Sequence, residues 1–84
     1  MIKVVFALIN DDESENLLAA KEFANAKSIH DIEVSQYVYD KVLELDNQYD
    51  FVKYEHCPTI SIIYMNEDGE KIYYDDCVDY MYNL

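Results

Sequence analysis

The chain has 84 residues, with 18 Asp and Glu against 6 Lys and no Arg, for a formal charge of -12. That length suits one small domain over residues 1–84 and is too short for two cores. A field of this sign repels nucleic-acid phosphate and anionic lipid, so direct nucleic-acid and membrane-surface binding are excluded and a basic protein is the favoured partner. Acidity that merely keeps a tyrosine-rich chain in solution is the plainer alternative.

The apolar run Ile2 to Ile9 is too short to span a membrane and lacks a cleavage pattern, so a soluble, cytoplasmic protein is expected. The use of Lys without Arg, with many Tyr, Ile, Asn and Asp, suits an AT-rich genome such as that of a low-GC bacterium or a phage. For a phage protein the site of action would be the host cytoplasm. Cys57 and Cys77 are too few for a disulfide framework and are expected to be reduced thiols.

In chain order, Ile2 to Ile9 reads as a central strand buried on both faces. Asp12 followed by Glu15 resembles an acidic capping box, and Leu17, Leu18, Ala20, Phe23, Ala24 and Ala26 follow with helical spacing, predicting a helix from about Glu13 to Lys27. Ile32, Val34, Gln36 and Val38 alternate with Glu33, Ser35 and Tyr37, predicting a second strand, parallel to the first across a right-handed crossover. Val42, Leu43, Leu45 and Tyr49 give a second helix from Asp40 to about Asp50. Thr59 to Met65 is a third strand, Asn66-Glu67-Asp68-Gly69 a turn whose glycine supplies a positive φ, and Glu70 to Tyr74 a fourth strand. A short helix from about Asp75 to Tyr82 ends the chain. No sequence repeat or Pro/Gly/Ser-rich linker divides these elements.

Cys57-Pro58-Thr59 opening an apolar strand, followed by Asp68-Gly69 and another strand, resembles the second half of a thioredoxin or glutaredoxin domain. The resemblance implies an α/β fold of βαβαββα order, a mixed four-stranded sheet with helices on both faces, and a cis-proline loop at Cys57, Pro58 and Thr59. A ferredoxin-like or other small α/β sandwich, with Pro58 an ordinary trans strand opener, is the alternative. The family's Cys-x-x-Cys pair has no counterpart here. Its place after the first strand is held by Asn10-Asp11-Asp12-Glu13-Ser14-Glu15, whose carboxylates would raise the pKa of a nearby thiol. Ser14 has no histidine close in sequence to serve as its base. The Gly-Gly pair that lets glutathione lie on the backbone in glutaredoxins is replaced by Tyr73-Tyr74-Asp75-Asp76, so no cofactor is expected.

Residual thiol chemistry would use Cys57, with Cys77 as resolving residue. Both cysteines also read as small hydrophobes. His30, His56, Cys57 and Cys77 match no zinc spacing, and Asn66 to Glu70 is too short for a calcium loop, so no metal is expected.

Nine tyrosines exceed what so small a core can bury, and tyrosine suits interfaces because a rigid ring carries a hydrogen-bonding tip. The expected function is therefore a non-catalytic acidic protein that binds a basic, nucleic-acid-binding protein as a phage-type inhibitor or DNA mimic. The residual thiol-disulfide oxidoreductase is the alternative, and a homodimer contact is a further use of the same surface. The residues expected to meet a partner are Asp11, Asp12, Glu13, Glu15, Tyr73, Tyr74, Asp75, Asp76 and Asp79.

Overall fold

A computed structural model describes residues 1–33, 35–49 and 59–83. Its elements are β1 (Ile2–Ile9), β2 (Glu15–Phe23), α1 (Ile29–Glu33), α2 (Gln36–Tyr49), β3 (Thr59–Met65), β4 (Lys71–Asp76) and α3 (Cys77–Tyr82). The strands form a four-stranded sheet in the order β2-β1-β3-β4, and every neighbouring pair is antiparallel. This overturns the expected thioredoxin-like βαβαββα arrangement. There is no parallel pair among the described strands, and the described helices pack on one side of the sheet. The Cys57-Pro58 peptide bond lies outside the described residues, and Thr59 is the exposed first residue of β3.

Two segments account for the difference. The expected helix from Glu13 to Lys27 is instead a turn and the strand β2. Asn10 N–H donates to the Ser14 carbonyl at 2.9 Å, and Glu13 N–H donates to the Asn10 carbonyl at 2.9 Å. Asp12 accepts from the Ser14 N–H at 3.0 Å and from its hydroxyl. These bonds close a three-residue hairpin loop with Glu13 left-handed at φ 68°. The carboxylate of Asp12 thus fixes a β-turn where its spacing to Glu15 suggested a cap, and pairing with β1 overrides the helix propensity of Leu17 to Lys21. Glu13→Gly should stabilise the fold by roughly 0.5–1 kcal/mol, seen as a raised thermal midpoint, because glycine adopts positive φ without steric cost.

The expected strand over Ile32 to Val38 is a helix end, a break and a helix start. Ser28 and Ser35 each precede a helix, and their hydroxyls accept from the Asp31 and Val38 N–H groups at 3.4 Å. Beyond the break, Val38, Val42 and Leu45 recur on one side of α2 and are buried.

The second hairpin repeats the first. Asn66 N–H donates to the Glu70 carbonyl at 3.0 Å, Gly69 N–H donates to the Asn66 carbonyl at 3.1 Å, and Gly69 takes the positive φ of 82°. Asn10 corresponds to Asn66, Asp12 to Asp68, Glu13 to Gly69 and Glu15 to Lys71. The two hairpins meet through β1 and β3, which run antiparallel at the centre of the sheet, so they are related by an approximate two-fold axis.

The core is split by the sheet. On the helical side Ile2, Val4, Phe6, Ile60, Ile62 and Tyr64 pack with Ile32, Val38, Val42, Leu45 and Cys77. On the other side Val5, Ala7 and Ile63 form a second cluster bordered by Ile9 and Met65, with no helical residue in it. Ala7 is nevertheless only 1% exposed and Ile63 2%. Curvature contributes to this: Lys71 Nζ reaches Glu15 Oε1 at 3.1 Å, joining the edge strands β4 and β2. In a flat sheet with this register the two Cα atoms would be roughly 25 Å apart, beyond the reach of both side chains together. The sheet therefore curls its two hairpins toward one another over the smaller cluster. No helix among the described residues is long and apolar enough to cross a membrane.

Candidate functional site

On the helical side, a cleft of about 540 Å³ opens among α1, α2, α3 and β4. Its wall comes from His30 and Glu33 of α1, Tyr39 of α2, Tyr73 and Asp75 of β4, and Tyr80 of α3, with Ser35, Gln36 and Asn83 at its edges. The alternation of β4 selects Tyr73 and Asp75 for this side, opposite Tyr64 and Ile62, and sends Tyr74 and Asp76 to the other. Asp76 is the N-cap of α3, accepting from the Val78 N–H at 2.8 Å. The Tyr80 hydroxyl donates to the Glu33 carbonyl at 3.1 Å and ties α3 to α1.

Glu33 and Asp75 bring carboxylates to this cleft, His30 an imidazole, and no lysine among the described residues lines it. Partial burial raises the pKa of Asp75, the hydrogen bond from the Asp76 N–H opposes the rise, and Asp79 and Asp76 add to it. Burial likewise raises the pKa of Tyr80, helped by Glu33. Beneath lies Tyr64, whose ring is fully buried at 5.8 Å from that of Tyr73. Its hydroxyl is also buried and has no hydrogen-bond partner among the described residues. Burial, with Glu33, Asp75, Tyr80 and Tyr73 nearby, holds Tyr64 well above the usual phenol range. Tyr64→Phe should accordingly leave the thermal midpoint unchanged or slightly raised, since it removes a polar group that makes no bond.

The residues expected at a partner surface fall into separate groups. Asp11, Asp12 and Glu13 form the exposed tip of the first hairpin, and Glu15 beside them is engaged by Lys71. Tyr73 and Asp75 line the cleft, Tyr74 stands exposed on the opposite side of β4, and Asp79 is exposed on α3. His30, Glu33, Gln36, Tyr39 and Tyr80 were not in that expected set. The signal for their convergence was the pair of serine caps, which places Ser28 to Tyr39 in two helices rather than a strand.

Cys77 is in the core at the start of α3, and burial together with Asp76 and Asp75 pushes its thiol up to about 12. Burial of this kind disfavours the thiolate form that a nucleophile or resolving cysteine uses. Cys57 and His56 lie outside the described residues, and no three His, Cys, Asp or Glu among the described residues are grouped to hold a metal. No protein-family model, curated protein or solved structure matches the chain.

Proposed function

We propose that this chain is a non-catalytic binding protein whose acidic, tyrosine-bearing surface engages a basic, nucleic-acid-binding protein and blocks it, in the manner of a phage-encoded inhibitor that offers carboxylates in place of phosphates. The observation that carries this reading is uncompensated charge. Among the described residues the ionic contacts occupy Glu67 with the N-terminal amine, Glu44 with Lys41, and Glu15 with Lys71. Asp11, Asp12, Glu13 and Asp79 are exposed with no cationic partner among the described residues.

The first hairpin tip also offers its charge in a fixed geometry. Its backbone is closed by two hydrogen bonds, and Asn10 Nδ2 donates to the Ser14 hydroxyl at 2.9 Å. The bonds from Ser14 hold the Asp12 carboxyl below its usual range, which keeps it ionised into mild acid. Carboxylates that are already ordered lose less freedom when a basic partner arrives.

The test compares the wild type with an Asp11→Asn, Asp12→Asn, Glu13→Gln variant, each immobilised and challenged with bacterial lysate at low salt. The wild type should retain a basic nucleic-acid-binding protein that rising salt releases, and the variant should hold it about tenfold more weakly. Equal retention by both, or no basic protein on either, contradicts the proposal.

A further inference from the structure

Resting on the acidic-surface reading, we infer that the cleft between α1, α2, α3 and β4 receives the guanidinium of an arginine side chain presented by the basic partner. The cleft size falls within the range of pockets that enclose small groups. Among the described residues its lining includes two carboxyl-bearing residues, Glu33 and Asp75, and no lysine, so a cation complements them. Tyr39 and Tyr73, both partly exposed, supply aromatic rings on which a planar cation can stack.

An independent feature is the unpartnered hydroxyl of Tyr64, a residue with 0% exposure. The four side chains whose charge acts on that hydroxyl, Glu33, Asp75, Tyr80 and Tyr73, all line the cleft. Tyr64 sits opposite Tyr73 on the helical side of the sheet, with their rings 5.8 Å apart, which puts its unpartnered hydroxyl on the cleft's side of the sheet. A guanidinium has five N–H donors in a rigid plane, matching two carboxylates and a phenol oxygen better than an ammonium does. Its charge also offsets the burial that disfavours ionised Asp75.

The test is a titration of the full chain with N-acetyl-L-arginine amide, followed by amide nuclear magnetic resonance. Saturable shifts are expected at the side-chain amides of Gln36 and Asn83 and at the backbone of Tyr73 and Asp75. The neutral citrulline analogue should leave those signals unmoved, and the lysine analogue should bind at least about threefold more weakly. Asp75→Asn keeps an oxygen to accept from the Asp76 N–H, which Asp75 Oδ1 now does at 2.8 Å, and should weaken binding about tenfold. Tyr64→Phe should weaken it severalfold with an undiminished thermal midpoint, a combination that a purely structural tyrosine would not give.

Equal affinity for the citrulline or lysine analogue overturns the inference, as do equal affinity in Asp75→Asn and shifts confined to Asp11, Asp12 and Glu13. A partner still retained through the hairpin carboxylates while the cleft ignores arginine would remove this inference and leave the acidic-surface reading standing. Failure of both measurements would remove both.

Discussion

Phe6→Ala should lower the unfolding free energy by about 3–5 kcal/mol, read from the urea midpoint. Phe6 is fully buried at the centre of the sheet, in register with Ala19 of β2 and Ile62 of β3. Its ring also meets Tyr37 of α2 edge-on, with centroids 6.2 Å apart, and Tyr37 in turn meets Phe23 of β2 at 5.9 Å. One truncation therefore loosens both the pairing layer and the helix above it, and the cavity is walled by rigid strands that collapse poorly. A domain of this size has a stability of roughly 4–13 kcal/mol, so the truncation removes from about a quarter to all of it. Phe6→Leu, which keeps most of the volume, should cost less than about 2 kcal/mol. A cost below about 1.5 kcal/mol for the alanine variant would mean that Phe6 is not packed as described.

Stability should also fall steeply in alkali. The Cys77 thiol is raised from 9.0 to about 12 and the Tyr64 hydroxyl is raised above its ordinary 10.0. Both groups hold their protons more tightly folded than unfolded, so their contribution is complete below about pH 9 and is lost as pH rises toward 12. For Cys77 the loss across that window is about 4 kcal/mol, and Tyr64 adds to it at the upper end. Unfolding free energies measured by urea between pH 8 and pH 11 should therefore decline with a slope that Cys77→Ala reduces, moving the onset up toward the tyrosine range. A profile flat to pH 11 would show that neither group is buried in the folded chain.

How much of this was legible in the sequence depends on which interactions are local. β1 and β3 are mostly apolar runs with buried residues on both faces of the sheet, the pattern of central strands. The Asn66 to Glu70 turn was legible because Gly69 marks the positive φ. Its twin at Asn10 to Ser14 was not, because Glu13 holds the same position without that mark. The comparison of the two segments, each an apolar strand running into Asn, an acid and an Asp, carried the information. Reading Asp12 as a helix cap then turned the alanines and leucines of β2 into a helix, although Leu17 is 68% exposed in the strand.

The alternation of apolar and polar residues from Ile32 to Val38 has the period of a strand. Ser28 and Ser35, two residues with a hydroxyl at the right distance ahead of an N–H, argued against it. Pro58 and its neighbours fitted a thioredoxin-like pattern at the level of spacing alone, and the antiparallel β1–β3 pairing excludes that fold. The acidic and aromatic content was evident from composition. The cleft was not, because it joins Glu33, Tyr39, Asp75 and Tyr80 from four elements whose packing no local pattern encodes.

On the proposed function the acidic surface takes the place of nucleic acid on a basic protein. Fluorescence polarisation of a labelled DNA duplex bound to the captured partner tests this most directly. Added wild-type chain should displace the duplex stoichiometrically at low salt, with an affinity that falls steeply as salt rises, and the Asp11→Asn, Asp12→Asn, Glu13→Gln variant should displace it about tenfold less well. Simultaneous binding of duplex and chain, or displacement that ignores both salt and the three substitutions, would contradict it.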